Sequence, residues 1–283
     1  MLFISLFFVA LSAFSATVAA PLTRRGVNDF SCKPSSADQR PLVFLHGLGA
    51  TYYEDLNFMQ DYFSNMSYCT FSITYGAYDG FPYVGGLKAI DESAPQLGAY
   101  IETVLEKTGA SQVDLIGHSE GGFMSLYLPK FDAKGKVRRV AAIAPPSHGT
   151  DFASLYKLAL ALGPAGTTLT KDVLDLFGCD ACADLVVGSP IINKLNNGGI
   201  TQSGVQYTII TSKADELVTP APAASFVSEA GVRNVLIQDV CPNDAIVGHI
   251  SEAYDTNTWN IVQNAIQNTP DRQFTCVVGT PGR

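Results

Sequence analysis

A five-residue motif, Gly117-His118-Ser119-Glu120-Gly121, constrains the fold of this chain more than any other stretch. It matches the pattern G-x-S-x-G. Residues 112–116 before it predict a short buried strand, and residues 121–128 after it predict a helix. A serine between such a strand and helix lies on a sharp, strained turn with its hydroxyl exposed. Glycine at both ends of the motif leaves room for that turn. The motif therefore predicts that Ser119 is a nucleophile.

Apolar runs alternate along the chain with segments of helical periodicity. Strands are predicted at 41–45, 70–75, 112–116, 137–144, 205–211 and 233–240, and helices at 52–64, 91–107, 121–128 and 256–267. This alternation predicts an α/β fold with a mostly parallel sheet covered by helices on both faces. The chain of 283 residues is long enough for one such domain with a substantial core.

Residues 151–204 interrupt the alternation, because they contain no predicted strand. Residues 152–162 are strongly apolar and are followed by Gly163-Pro164-Ala165-Gly166. An insertion here would lie above the carboxyl ends of the strands, where α/β sheets bind ligands. We expect a helical cap or lid with an apolar lower face. Extra helices packed permanently on the core are the alternative.

The N-terminus predicts secretion. Residues 1–19 have the apolar, small-residue composition of a signal peptide, and residues 20–25 end in Arg24-Arg25, which suggests a short pro-segment. The domain itself then spans residues 26–283. The Asn65-Met66-Ser67 sequon predicts glycosylation at Asn65. The formal net charge of −8 argues against nucleic-acid binding, which needs a basic surface.

The six cysteines of a secreted chain suggest three disulfides, for which 15 pairings exist. Cys32 precedes the first strand and Cys69 begins another, so their bond would tie the N-terminal arm to the sheet. Cys179 and Cys182 are close in sequence and are expected to bond locally. A redox or metal pair is the alternative there, and the chain has no second such pair. The remaining prediction is Cys241–Cys276.

A serine nucleophile needs a base, normally histidine, oriented by a carboxylate. In folds with this kind of serine turn, the chain order is serine, acid, histidine. His249 is the only histidine after the predicted strand 205–211, so order selects it as the base. His46, His118 and His148 are expected to be structural histidines near the rim of the site.

Asp215 is the predicted acid, because it follows the strand 205–211 closely and so sits just past a carboxyl end. Asp239 and Asp244 are rivals, since both precede His249. Asp239 ends the next predicted strand, one element too late.

An oxyanion hole needs two hydrogen-bond donors. One is expected to be the backbone N–H of Glu120, and the other that of Leu48 in the turn 46–49 after the first strand. The carboxylate of Glu120 is expected to be a solvated charge at a helix N-terminus, without a chemical role.

Over residues 38–268 the chain resembles the class 2 lipase family of secreted bacterial and fungal α/β-hydrolases. The resemblance rests on residues 43–47, 113–122, 145–150, 188–190, 215–220 and 240–242. Matched position by position, the triad of that family falls on Ser119, Asp215 and His249. The approach to His249, residues 245–248, is less polar here than the family pattern.

The resemblance implies an α/β-hydrolase fold and hydrolysis of carboxylic esters, often triacylglycerols, without a cofactor. The residues predict no metal site, and nothing in the sequence fixes whether calcium is bound. We therefore expect a secreted, monomeric serine hydrolase that acts on lipid esters at a lipid–water interface. The alternatives are an esterase for small soluble esters, a thioesterase or acyl-transferase with the same triad, and a hydrolase-fold binding protein without catalysis.

Overall fold

The computed structural model describes residues 26–36, 38–151 and 178–279. The predicted signal peptide and pro-segment, residues 1–25, lie outside the described residues. So do residues 152–177, which include the apolar stretch 152–162 of the predicted cap. Among the described residues, no helix is both long and apolar enough to span a membrane.

Six strands, all parallel, form the centre of the fold in the order β2-β1-β3-β4-β5-β6. They are β1 (Leu42–Leu45), β2 (Thr70–Ser72), β3 (Val113–His118), β4 (Val137–Ile143), β5 (Gln206–Thr211) and β6 (Val232–Leu236). Because every pair is parallel, all six carboxyl ends lie at one edge of the sheet. This topology confirms the predicted α/β class.

Helices cover both faces of this sheet. In the described part of the chain they are α1 (Asn57–Asn65), α2 (Ile90–Thr108), α3 (Glu120–Lys130), α4 (Asp180–Asp184), α5 (Pro190–Asn196), α6 (Ile237–Val240), α7 (His249–Tyr254) and α8 (Thr256–Gln267). Successive side chains of a strand point to opposite faces. Accordingly, Val43 and Leu45 join an apolar cluster with α2 and α3, whereas Leu42 and Phe44 join a second cluster with α1 and α8.

Three predicted elements were wrong at their ends. The strand predicted over 70–75 ends at Ser72. The helix predicted from residue 52 begins at Asn57, because the preceding residues turn and Asp55 has a φ of 69°. The strand predicted over 233–240 ends at Leu236, because residues 237–240 form the single turn of α6. Asp239 therefore lies on a short helix and does not end a strand.

The described part of the predicted insertion packs on the core. Its two short helices, α4 and α5, place Ala181 and Leu195 at 0% exposure in the cluster that contains α2 and α3. An isolated parallel bridge also joins Thr150 to Val186. Residues 178–196 are thus part of the folded body.

The structure contains three disulfides, and they are the three pairs that the sequence predicts. Cys32 is bonded to Cys69 and Cys241 to Cys276, while Cys179 and Cys182 close a local loop. The first bond joins the N-terminal arm to β2, and the second joins the C-terminal segment to the end of α6.

Candidate active site

Ser119 occupies a strained turn between β3 and α3. It stands immediately before the first residue of α3, with φ 55° and ψ −121°. A positive φ is unfavourable for a residue with a side chain, and such strain is concentrated at functional sites. Ser119 is the candidate nucleophile that the motif predicts.

The two glycines of the motif are required by close backbone contacts. A Cβ atom on Gly121 would lie 1.9 Å from the carbonyl oxygen of Leu45 in β1. One on Gly117 would lie 2.0 Å from the carbonyl oxygen of Gly121 itself. The start of α3 therefore packs directly on two strands, and only glycine permits that approach.

The predicted acid and base are in direct contact. Asp215 Oδ2 lies 2.9 Å from His249 Nδ1, and both side chains are almost fully buried. The other carboxylate oxygen, Oδ1, accepts from the backbone N–H groups of Leu217 (2.8 Å) and Val218 (2.9 Å). Burial alone would raise the pKa of Asp215, but His249 and these N–H groups hold that pKa below its usual value.

Neither rival acid contacts His249 in the described structure. Asp239 is exposed and lies 3.6 Å from the ammonium group of Lys213. Asp244 is buried and accepts a 2.8 Å hydrogen bond from the side chain of Asn257. The carboxylate positioned to orient His249 is that of Asp215.

The elements that carry these residues meet at the carboxyl edge of the sheet. Ser119 follows β3, Asp215 follows β5, and His249 is the first residue of α7. His118, which precedes Ser119, has its ring centroid 4.8 Å from that of His249. A Cβ on Gly47 would lie 3.2 Å from Ser119 Cβ, so the turn after β1 also borders the serine.

The turn after β1 is held by hydrogen bonds on either side of Leu48. The Gly47 N–H donates to Asp55 Oδ2 at 2.6 Å, and the Gly49 N–H donates to the carbonyl of Gly85 at 3.0 Å. Glu120, the other predicted donor, is the first residue of α3. The N–H groups in the first turn of a helix have no intrahelical partner and suit a negative charge.

Comparisons with known proteins identify the family of this chain. A family model described as Lipase (class 2) matches residues 39–225. The chain belongs to the class 2 lipase family. Two curated relatives are the triacylglycerol lipases of Pseudarthrobacter phenanthrenivorans and Burkholderia plantarii. Each is 31% identical over 153 residues, or 50% of this chain. The matched segment spans 45% and 40% of those relatives, less than half their length.

Solved structures show the fold. Aspergillus fumigatus lipase B is 19% identical with a TM-score of 0.61, covering 89% of this chain and 57% of that one. Bacillus licheniformis lipase BlEst2 is 16% identical with a TM-score of 0.56, covering 86% of this chain and 96% of that one. With its parallel sheet and flanking helices, this member of the class 2 lipase family has the α/β-hydrolase fold.

The expectation for the Glu120 side chain was wrong. Its carboxyl group is not solvated but completely buried, because the loop at Gly86 and the ring of Tyr75 cover the first turn of α3. Burial raises the pKa of Glu120 well above its usual value, the nearby Asp184 raises it further, and the Tyr75 hydroxyl opposes them. Burial in the folded family member therefore favours the neutral form of the Glu120 carboxyl group.

Two of the remaining histidines are buried or hydrogen-bonded in ways that suit a structural role. His46 is buried, with Nδ1 2.9 Å from the carbonyl oxygen of Gly47 and Nε2 3.2 Å from the backbone N–H of Tyr75. His148 places Nε2 2.9 Å from the carbonyl oxygen of Phe226.

Sequence reasoning missed Asp55. Its carboxylate contacts both Gly47 of the turn after β1 and the ring of His118. It stands in an irregular loop, 64 positions before Ser119, and no motif surrounds it. Only the tertiary structure brings it behind the site.

Within the described ranges, one group of three possible metal ligands lies close together. It comprises Asp215, His249 and Glu252, whose ligand atoms lie within 4.8 Å of one another. Asp215 and His249 are hydrogen-bonded to each other. Burial and the neighbouring Asp215 raise the pKa of Glu252 well above its usual value, which disfavours the charged form that a cation would bind. These groups suit a hydrogen-bonded network better than a cation.

Proposed function

We propose that this protein hydrolyses carboxylic esters of lipids, with Ser119 as nucleophile, His249 as base and Asp215 as the orienting acid. The observation that carries the proposal is the 2.9 Å contact between Asp215 and His249, together with the strained strand-to-helix turn at Ser119. The residue before that serine, His118, has Nε2 3.0 Å from the carbonyl oxygen of His249. Membership of the class 2 lipase family supports the reaction, and relatives named as triacylglycerol lipases support a lipid ester substrate.

The hydrogen bond between Asp215 and His249 suits proton transfer from the serine. Asp215 accepts the proton on His249 Nδ1, which leaves Nε2 free to take the proton of the Ser119 hydroxyl. The serine oxygen then attacks the ester carbonyl, and the alcohol leaves with the proton held by His249. Water, deprotonated by the same histidine, then attacks the acyl-serine. The histidine returns that proton to the serine oxygen as the carboxylic acid leaves.

The negative charge of each tetrahedral intermediate needs two donors. We assign them to the backbone N–H groups of Leu48 and Glu120. The N–H groups of Gly47 and Gly49, on either side of Leu48, already donate to other acceptors, which supports Leu48 as one donor. The position of Glu120 at the start of α3 supports it as the other. Each such donor contributes about 3 to 4 kcal/mol to lowering the barrier.

The proposal is tested by hydrolysis of p-nitrophenyl esters of increasing acyl length, below and above their solubility limits. A lipase gains activity sharply once the substrate forms an interface, whereas an esterase for soluble esters does not. A serine-directed phosphonate should add its mass to the peptide that contains Ser119. Absence of both labelling and turnover would identify a non-catalytic binding protein.

The proposal extends to a secreted monomer that binds no nucleic acid and has a signal peptide at residues 1–19, a pro-segment at 20–25 and a domain at 26–283. The disulfides support an oxidising compartment. Asn65, the last residue of α1, is exposed and accessible to glycosylation. Residues 151–204 are proposed to form the cap over the site. N-terminal sequencing and glycosidase treatment of secreted protein test the leader and Asn65, and gel filtration tests the monomer.

A further inference from the structure

A second carboxylate–histidine pair lies behind the proposed catalytic residues, and no step of the mechanism uses it. Asp55 Oδ1 lies 2.6 Å from His118 Nδ1, with exposures of only 7% and 2%. Burying such a pair is costly unless further hydrogen bonds satisfy it. The partners of this pair therefore indicate what it does.

The partners of His118 fix its protonation. One ring nitrogen faces the Asp55 carboxylate, and Nε2 lies 3.0 Å from the backbone carbonyl oxygen of His249. Carboxylate and carbonyl oxygens only accept hydrogen bonds, so both ring nitrogens must donate. Burial would lower the pKa of His118, but the Asp55 carboxylate and the His249 carbonyl raise it above its usual value. His118 is thus an imidazolium paired with ionised Asp55.

Asp55 in turn holds two other parts of the site. Its Oδ2 accepts the Gly47 N–H at 2.6 Å, one residue before Leu48. Its own backbone N–H donates to the hydroxyl of Tyr254 at 2.7 Å. Tyr254 is the last residue of α7, the helix that begins with His249. One loop residue, held at a φ of 69°, is therefore hydrogen-bonded to the oxyanion turn (residues 46–49) and to the last residue of α7. It reaches His249, the first residue of α7, only through His118.

We propose that Asp55, acting through His118, is a positioning residue that sets the oxyanion turn and His249 against Ser119. The proposal rests on the proposed ester hydrolysis. These three parts of the site come from separate loops, and the Asp55–His118 pair is a direct link among them. Because the oxyanion turn acts on the transition state, its misplacement lowers kcat and leaves substrate binding nearly unchanged.

The test compares three variants on a soluble ester, p-nitrophenyl butyrate. Asp55→Ala removes both carboxylate contacts. Asp55→Asn keeps them, because its oxygen accepts from Gly47 and its amide donates to a neutral His118. Asp114→Ala is the matched control, since Asp114 is also buried and pairs with Arg139 at 3.1 Å, but at the opposite end of β3.

We expect Asp55→Ala to lower kcat by about 10- to 100-fold, the scale of a displacement of roughly 1 Å, with KM within about twofold. Asp55→Asn should recover most of that loss. Asp114→Ala should lower the melting temperature and leave kcat unchanged. Nitrogen NMR of the wild-type protein, assigned with His118→Gln, should show both His118 ring nitrogens protonated near neutral pH.

Any of three results would overturn the proposal. Asp55→Ala could have the same kcat as Asp114→Ala, or Asp55→Asn could have a kcat as low as that of Asp55→Ala. The third is an NMR spectrum in which only one ring nitrogen of wild-type His118 is protonated. If Asp55→Ala does not fold, Asp55→Asn and the NMR experiment decide. Wild-type protein without ester hydrolysis would refute the proposed function itself. An active wild type whose Asp55→Ala variant keeps its kcat would refute the positioning role alone.

Discussion

The backbone N–H of Ser119 donates a 2.9 Å hydrogen bond to the carbonyl oxygen of Ile143, the last residue of β4. The carbonyl of Ser119 in turn accepts from the Phe123 N–H at 3.0 Å. Backbone contacts therefore maintain the strained turn, and these contacts do not involve the serine hydroxyl.

Ser119→Ala should abolish ester hydrolysis and leave the melting temperature unchanged, because the variant loses the attacking oxygen but no backbone contact. The oxyanion hole and substrate binding would leave only a residual rate, about 10³- to 10⁴-fold above the uncatalysed reaction. Initial rates with p-nitrophenyl esters and thermal unfolding measure the two effects. Retention of a tenth of the wild-type rate would exclude Ser119 as the nucleophile.

Asp215→Asn should lower kcat by up to about 10⁴-fold, because an amide facing Nδ1 favours the wrong tautomer of His249. Asp239→Asn is the matched control, since that carboxylate is exposed and pairs with Lys213. It should change kcat by less than about twofold, because exposed pairs contribute little. A larger loss in Asp239→Asn than in Asp215→Asn would contradict the assignment of the acid.

Replacing both Cys241 and Cys276 by serine should impair catalysis as well as stability. Cys241 is fully buried, eight positions before His249, so the bond anchors one end of the histidine loop. Cys32 and Cys69 provide a control with a nearly equal loop, a sequence separation of 37 against 35.

The chain-entropy model gives each of these two bonds about 4 kcal/mol of stabilisation. Urea unfolding should therefore show similar losses in the two double-serine variants, while kcat should fall only in the variant that lacks Cys241–Cys276. Equal kcat values in the two variants, measured where both are folded, would show that the bond does not hold the histidine loop.

Glu120→Gln should be more stable than the wild type, by a difference that grows as the pH rises. Burial raises the pKa of Glu120 well above its ordinary value of 4.5, so folding takes up a proton between the two pKa values. In that range the wild type loses about 1.4 kcal/mol of unfolding free energy per pH unit from this group. The neutral glutamine avoids that loss.

Urea unfolding from about pH 5 to about pH 8 would measure the growing difference in unfolding free energy between Glu120→Gln and the wild type. Glu92→Gln is the control, because Glu92 is also in the first turn of a helix, α2, but is exposed. Parallel stability curves for the wild type and Glu120→Gln would mean that Glu120 ionises normally in the folded protein.

The parts of the site that the sequence predicted depend on local patterns. Ser119 lies in a motif bounded by a recognisable strand and helix, and chain order then selects His249 and Asp215. Parallel strands gather their carboxyl ends at one edge. Residues that follow different strands can therefore meet, although they are far apart in sequence.

The parts that were missed depend on contacts that local patterns do not contain. The apolar residues of 237–240 suit a strand as well as the turn of helix that forms. Glu120 is an acidic residue in the first turn of a helix, a position that is usually exposed to solvent. Only the loop at Gly86, which is distant in sequence, buries its carboxyl group. Asp55 has no neighbouring sequence signal, because its partners come from the turn after β1, from β3 and from α7.

The disulfides have a practical consequence for producing the protein. In a reducing bacterial cytoplasm, the N-terminal arm and the C-terminal segment would have to dock on the sheet without Cys32–Cys69 and Cys241–Cys276. Export to a periplasm or a eukaryotic secretory pathway supplies these cross-links during folding. Cytoplasmic material refolded under reducing conditions would carry untethered chain ends, so its specific activity would understate that of the oxidised protein.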